Sequence, residues 1–253
     1  MRIFLTLLRR ELASFFLSIT GYVVIAAVTL LLGLSFVVLI AGVGSAPFTA
    51  PVTEMFYSTF YFWLILLLAT PIITMRLFAL EKSTGTFETL MTTSVGDLQV
   101  VVAKFTAAIF FYMVAWLPLM ACLFVVQHFA NQAGALDAGT VGGMYLGIFL
   151  LGCVFLSLGC LASAVSRSQM TAAMISFVLG ISLFSLAYLA KSAQSNLATA
   201  HWQTQVLSYF NLFDQMEDFA RGGVDTRAVV FYVSATFLFL FLTLRVVESR
   251  RWK

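Results

Sequence analysis

Residues 141–190 read VGGMYLGIFLLGCVFLSLGCLASAVSRSQMTAAMISFVLGISLFSLAYLA, and they are typical of a pair of membrane-spanning helices. Its two apolar runs, Val141–Val165 and Met170–Ala190, contain no Asp, Glu, Lys, Arg or His. Each run is long enough to cross a bilayer as a helix, which takes about 17–25 residues. Because backbone amides in lipid must be satisfied within the chain, such runs predict helices. The four-residue turn 166–169 predicts a tight antiparallel helix pair.

The remainder of the chain contains more apolar runs of the same kind. The composition agrees with burial in lipid, because 61% of the 253 residues are hydrophobic and only 10% are charged, whereas a soluble domain carries about 25% charged residues. We therefore predict an all-α, polytopic membrane protein that forms a single transmembrane domain with six helices. The predicted spans are Ile19–Ala41, Phe56–Met75, Phe105–Val126, Val141–Val165, Met170–Ala190 and Ala228–Leu244.

Glycines recur along the fourth span, and two of them stand at the spacing of a small-xxx-small motif. These glycines are Gly143, Gly147, Gly152 and Gly159. Small residues allow helices to approach closely in lipid. The fourth span is therefore predicted to pack tightly against its neighbours.

The basic residues predict the orientation in the membrane. With the N-terminus in the cytoplasm, every Lys and Arg except Lys191, Arg221 and Arg227 lies on the cytoplasmic side, as the positive-inside rule requires. Both termini are therefore predicted to be cytoplasmic, in a bacterial cytoplasmic (inner) membrane. The net charge of +3 is small and the basic residues are scattered, so the chain lacks the basic face that nucleic-acid binding requires.

Residues 2–18 precede the first span and are amphipathic. Polar side chains, among them Arg9 and Arg10, recur at helical spacing, while leucines, an isoleucine and phenylalanines fill the other positions. This pattern predicts a helix in the cytoplasmic interface, with its arginines toward membrane lipid phosphates. The helix is either a simple anchor or a part that moves in the mechanism.

The cytoplasmic segment 76–104, between the second and third spans, reads RLFALEKSTGTFETLMTTSVGDLQVVVAK. Its beginning extends the second span, and Gly85 can end that extension by taking the left-handed conformation. Its end has a capping-box pattern, Ser94 to Asp97, that opens the helix leading into the third span.

A short helix is predicted in the middle of this segment. Thr86 is a suitable N-cap for residues 87–92, and Glu88 in the first turn matches the positive end of the helix dipole. Phe87, Leu90 and Met91 would then be exposed. The helix is either a docking surface for a partner or part of an ordinary structured loop.

The outer loop 191–227 is too long to be a bare connection. Its apolar positions alternate with Asp214, Glu217 and Asp218, which predicts short helices at the outer ends of the spans, ended by Gly222 and Gly223. Asp225 would cap the last span. The loop either shields the helix ends or gates a substrate.

Residues for catalysis or ion coupling are not found in the sequence. It has no HExxH, GxSxG or Walker motif, and its three cysteines lie inside apolar runs without metal-ligand spacing. The predicted spans contain no ionisable group, whereas proton-coupled transporters place such groups within the membrane. Any transport by this chain must therefore draw its energy from another protein.

The segment after Pro71 carries a family resemblance. The residues PIITMRLFA (71–79), Glu81-Lys82, GTFETL (85–90) and Asp97 to Lys104 resemble the permeases of type-2 (ABC-2) ATP-binding-cassette exporters. The resemblance is strongest to the branch that contains the gliding-motility and copper-site-assembly permeases. Arg10-Glu11-Leu12 and Arg221 to Asp225 resemble the N-terminal and C-terminal signatures of that family.

The resemblance implies a half-transporter that pairs with a second permease copy or a paralogue and docks on a cytoplasmic ATP-binding subunit. ATP and magnesium would bind that partner subunit, so the chain itself would be no enzyme and would hold no cofactor. The implied coupling-helix residues are Glu81, Gly85, Thr86, Phe87, Glu88 and Leu90. The implied residues of the interfacial helix that moves with them are Arg9, Arg10 and Glu11.

Two functions follow from this resemblance. The first is export of a substrate across the cytoplasmic membrane, driven by ATP hydrolysis on the separate subunit. The second is a mechanical or assembly module that transmits force from the ATPase to periplasmic partners and carries no substrate.

Overall fold

The computed structural model describes residues 2–43, 52–86, 96–130, 138–196 and 211–249, and the regular elements in these ranges are helices. They are α1 (Arg2–Phe16), α2 (Ile19–Val43), α3 (Val52–Tyr57), α4 (Phe60–Thr74), α5 (Ala79–Ser83), α6 (Asp97–Ala130), α7 (Ala138–Val165), α8 (Gln169–Asn196), α9 (Leu212–Ala220) and α10 (Thr226–Ser249).

Within these ranges, six helices are long and apolar enough to cross a membrane. They are α2, α4 extended through α5, α6, α7, α8 and α10. The prediction of an all-α membrane protein with six spanning helices is therefore confirmed.

The second membrane helix begins at Phe60, and Phe56 lies instead in the separate helix α3. Thr59 is extended, with φ −74° and ψ 142°, and its hydroxyl donates to the carbonyl oxygen of Phe56 at 2.6 Å. The hydroxyl of Ser58 donates to the carbonyl oxygen of Glu54 at 3.3 Å. Hydroxyls that bond to nearby backbone compete with helix continuation. The chain therefore breaks here, and α3 packs against α9.

Helix α7 is the centre of the bundle. In its most apolar stretch 83% of the residues are buried, against 11% in α10. Helices α4, α6, α8, α9 and α10 all contact it. The predicted close packing of its glycines is confirmed, because an added Cβ would overlap Thr74 Oγ1 at Gly159, the Tyr112 ring at Gly152 and the Phe219 carbonyl oxygen at Gly143.

Helix α1 packs along the start of α6 and buries one face. Leu7, Glu11 and Phe15 recur every four residues and are buried, whereas Arg9 and Arg10 are exposed. Phe15 stacks on Phe111 of α6 with 5.0 Å between ring centroids. A polar residue, Glu11, thus occupies the middle of the apolar face of α1.

The bundle has two distinct ends. We call the end with α1, α5 and the turn 166–168 the α1 end, and the end with α3 and α9 the α9 end. The orientation predicted from the sequence places the α1 end in the cytoplasm.

Candidate functional site

The sequence-predicted site residues fall into three groups in the structure. Arg10 and Glu11 of α1 and Glu81 of α5 come together, whereas Arg9 is exposed. Gly85 and Thr86 follow α5 and are exposed. Phe87, Glu88 and Leu90 lie outside the described residues, as do the rest of the predicted short helix 87–92 and Ser94 of the predicted capping box.

Four charged side chains close a ring at the α1 end, which we call the charge ring. Its members are Arg10, Glu11, Glu81 and Lys104. Arg10 Nη2 donates to Glu11 Oε1 at 2.8 Å and to Glu81 Oε1 at 3.0 Å. Lys104 Nζ donates to the same two oxygens, at 3.0 Å and 2.9 Å. Each carboxylate therefore bridges both cations, and the ring as a whole is neutral.

The charge ring extends from the surface into the protein interior. The Arg10 side chain is 51% exposed, while Glu11 is 8% and Lys104 only 1% exposed. The Phe78 ring lies 5.5 Å from Lys104 Nζ and offers it a cation–π contact. A buried ammonium is costly unless it is paired and hydrogen-bonded. The two carboxylates are therefore what permits a lysine at this depth.

Ordinary helical periodicity brings these residues to one place. On α6, Val100, Lys104, Ala107 and Phe111 are all buried and lie on one face. On α1, Glu11 lies between the buried Leu7 and Phe15. Each helix thus has one polar residue in an otherwise apolar stripe, Lys104 on α6 and Glu11 on α1. The two stripes pack together.

Helix α5 is fastened to the end of α7. Ser163 Oγ accepts hydrogen bonds from the backbone N–H groups of Phe78, at 3.0 Å, and Ala79, at 3.1 Å, which satisfies two free donors at the start of α5. Lys82 Nζ donates to the carbonyl oxygen of Ala164 at the end of α7, where a cation is favourable. The chain before residue 87 is therefore held by the central helix.

Arg76 connects the same region to the start of α2. Its Nη1 donates to Ser18 Oγ at 2.7 Å and also to Thr20 Oγ1. Gly85 has a φ of +74°, so the predicted left-handed conformation after the helix extension is confirmed. The part of Gly85 in partner binding stays a prediction.

Lys104 is the member of the charge ring that the sequence does not predict. The predicted third span begins at Phe105, which places Lys104 in the preceding loop and leaves the predicted spans free of charge. In the structure Lys104 lies inside the continuous helix Asp97–Ala130 and is buried. Its position in the stripe of Val100, Ala107 and Phe111 was the signal that could have revealed it.

The α9 end is held by a second set of contacts. Arg221 Nη2 and Nε donate to the two carboxylate oxygens of Glu54, at 2.6 Å and 3.0 Å. This hydrogen-bonded guanidinium lowers the pKa of Glu54. Thr53 Oγ1 donates to the carbonyl oxygen of Ala220 at 2.8 Å, and the Tyr57 hydroxyl donates to that of Met144, on α7, at 2.6 Å. Helix α3 thereby ties α9 to the central helix.

The structure describes residues 191–196 and 211–227 of the predicted outer loop. Residues 191–196 continue α8 and are not part of a loop, whereas the predicted short helix, its glycine end and the cap at Asp225 are confirmed. The short helix α9 lies in the loop, and Gly222 follows it with a φ of +82°. Asp225 caps α10, because its Oδ1 accepts from the backbone N–H of Arg227 at 2.9 Å. The shielding or gating role of the loop stays a prediction.

No group of three or more His, Cys, Asp or Glu side chains that could hold a metal ion occurs among the described residues.

Comparison with known proteins gives one match that covers most of the chain. A model of the family described as ABC-2 family transporter protein matches residues 35–247. No curated protein matches the chain. This match does not test the resemblance to the gliding-motility and copper-site-assembly permeases, which stays a prediction.

Proposed function

Because the chain belongs to the ABC-2 family of transporter proteins, we propose that it is a permease subunit that exports a substrate, driven by ATP hydrolysis on a separate subunit. The chain is a multi-pass membrane protein and a permease component of an ABC transporter. The direction of transport, the energy source and the partners belong to the proposal.

The main support for the proposal is that the helices on both sides of residues 87–95 are hydrogen-bonded to other helices of the bundle. The chain enters this segment from α5, which is bonded to α7 through Ser163 and to α1 through Glu81. It leaves the segment into α6, which is bonded to α1 through Lys104. Because the residues on both sides of it are held in this way, the segment 87–95 is suited to receive a mechanical stroke from a docked ATPase.

The distribution of charge supports a cytoplasmic location of the α1 end. Arg76, Lys82, Lys104 and Arg167 all lie at this end, and the positive-inside rule places it on the cytoplasmic side of the inner membrane. An ATP-binding subunit would then dock at the α1 end, with both termini on the same side of the membrane. ATP and magnesium would bind to that subunit.

Pairing with a second permease copy or a paralogue is part of the proposal. Helices α8 and α10 are the least buried of the spans, since only 22% and 11% of the residues in their most apolar stretches are buried. Their faces are available to membrane lipids and to a second permease.

Export is tested with inside-out vesicles. The tagged chain is first purified from its own membrane, and the co-purifying ATPase is identified by mass spectrometry. Vesicles that contain both proteins are then incubated with cell extract and ATP, and the accumulated compounds are identified by mass spectrometry. We expect at least one compound to accumulate with the active ATPase and not with a variant that binds ATP without hydrolysing it. Equal contents in the two vesicle types would refute export.

A mechanical or assembly function is the second candidate, and the α9 end favours it. Any displacement of α7 would be passed outward by the Tyr57–Met144 hydrogen bond to α3, and by the Arg221–Glu54 pair between α3 and the end of α9. In that case ATP hydrolysis would change the binding of a periplasmic protein to the α9 end, and no compound would accumulate in the vesicles.

A further inference from the structure

We infer that Lys104 is a positioning residue that joins α1, α5 and the start of α6 into one rigid block. The block receives the stroke of the ATPase at residues 87–95 and moves as a unit. This inference rests on the proposed function, and it assigns a role in coupling to a residue that does not contact the ATPase, ATP or the substrate.

The geometry of the charge ring supports a single block. Lys104 is the buried cation that reaches both carboxylates, Glu11 on α1 at 3.0 Å and Glu81 on α5 at 2.9 Å. It thereby links three separate segments of the chain at one atom. Arg10 bridges the same carboxylates from the exposed side, where water competes for its hydrogen bonds.

The pairing of charges in the charge ring opposes any partial separation of α1, α5 and α6. Separation of α1 from α6 would leave the Lys104 ammonium and the Glu11 carboxylate partly unpaired in a buried position, which is strongly unfavourable. A small rotation of α1 alone is therefore resisted, whereas a movement of all three segments together keeps every bond of the charge ring. A stroke received at residues 87–95 would thus move α1 and the start of α6 together.

Substitutions at two ring positions separate a positioning role from a folding role. Lys104→Met keeps the length of the side chain but leaves the charge ring with one excess negative charge. Lys104→Met combined with Glu11→Gln restores neutrality without restoring the link between α1 and α6. Arg167→Gln is the matched control, since Arg167 is an exposed cation at the same end.

The first measurement is ATP hydrolysis by the complex of permease and co-purified ATPase in liposomes. We expect Lys104→Met to lower permease-stimulated hydrolysis roughly tenfold, within the range of ordinary coupling between sites. The double variant should recover the thermal stability of the wild type but not the stimulation. Recovery of both by the double variant would show that Lys104 serves folding alone and would overturn the inference.

The second measurement is the distance between spin labels, by electron paramagnetic resonance. The native cysteines are replaced by alanine, and one label pair is placed on α1 and α6, at Ala13 and Leu98. A reference pair joins α6 to α8, at Leu98 and Met170. All three positions are exposed.

In the wild type we expect the α1–α6 distance to stay constant when vanadate traps the ATPase, while the α6–α8 distance changes. In Lys104→Met the α1–α6 distribution should broaden even without nucleotide. A wild-type α1–α6 distance that changes as much as the reference would overturn the rigid block. If neither wild-type pair responds to trapping, the proposed ATP coupling fails, and the nucleotide-free broadening still decides whether Lys104 holds the block together.

Discussion

Lys104 Nζ on α6 lies 3.0 Å from Glu11 Oε1 on α1, although the two residues are 93 positions apart in the chain, and both side chains are buried. Removal of either charge at this depth destabilises the protein, because it leaves the other charge uncompensated. This relationship links an N-terminal helix to the base of the third membrane helix.

Glu11→Gln is expected to destabilise the protein by about 3 kcal/mol, because it removes one of the two carboxylates that compensate the buried Lys104. Arg9→Gln is the control, since Arg9 lies on the same helix and is exposed. Thermal unfolding in detergent, followed by size-exclusion chromatography, measures the difference. Equal unfolding temperatures for the two variants would contradict a stabilising role of the pair.

Gly159→Ala is expected to destabilise the bundle by roughly 1–3 kcal/mol, since the new methyl group would overlap the Thr74 side chain inside a packed core. Gly33→Ala is the control in another membrane helix, because nothing lies within 4 Å of the position that its Cβ would take. The control should be neutral or slightly stabilising, as alanine is the better helix former. The same unfolding measurement applies, and a control that loses as much as Gly159→Ala would contradict the packing of α7 against α4.

Gly85→Pro is expected to abolish stimulation of the ATPase while leaving membrane insertion intact. Proline fixes φ near −65°, whereas Gly85 has a φ of +74°, so the entry into residues 87–95 would be redirected. Gly85→Asn is the control, because asparagine tolerates the left-handed conformation. Stimulated ATP hydrolysis in liposomes measures the effect, and full stimulation by the proline variant would exclude a coupling role for this turn.

Glu88→Arg is expected to uncouple the complex in the same assay, because it reverses a charge in the predicted docking helix. The variant should insert into the membrane normally and bind the ATPase more weakly in a pull-down. Unchanged binding and unchanged stimulation would remove Glu88 from the coupling region.

Glu54→Gln is expected to lower stability slightly at neutral pH and to make no difference in acid. Arg221 lowers the pKa of Glu54 below its ordinary value of 4.5. A carboxylate with a lowered folded-state pKa stabilises the protein above the ordinary value, and this contribution is lost as the pH falls through the lowered one. Wild type and variant should therefore converge as the pH falls through the lowered pKa of Glu54, below 4.5.

The neighbouring Asp218 is present in both proteins. Burial raises its pKa, so its contribution to stability has the opposite sign to that of Glu54, and Arg221 acts on both carboxyl groups. Unfolding temperatures at low ionic strength measure the difference, because salt screens exposed ion pairs. A gap that persists in acid would show that Glu54 acts through packing and not through its charge.

Several elements of the fold were predictable because their signals are local. The termination of α9 by Gly222 and the capping of α10 by Asp225 depend on a few neighbouring residues. The close packing of Gly152 and Gly159 was likewise visible, because glycine on a membrane helix favours contact with another helix. The break before Phe60 was missed, since the uncharged Ser58 and Thr59 fit an apolar run equally well.

The helical character of the chain and its six membrane-spanning helices are predictable from the amino-acid sequence, because transfer into lipid and backbone hydrogen bonding are properties of each segment alone. The central position of α7 and the pairing of Lys104 with Glu11 and Glu81 are seen only in the folded protein. In a membrane protein both lipid-facing and core-facing positions are apolar. Hydropathy therefore locates the spans but does not show which helix faces pack together. The partners of Lys104 depend on this packing.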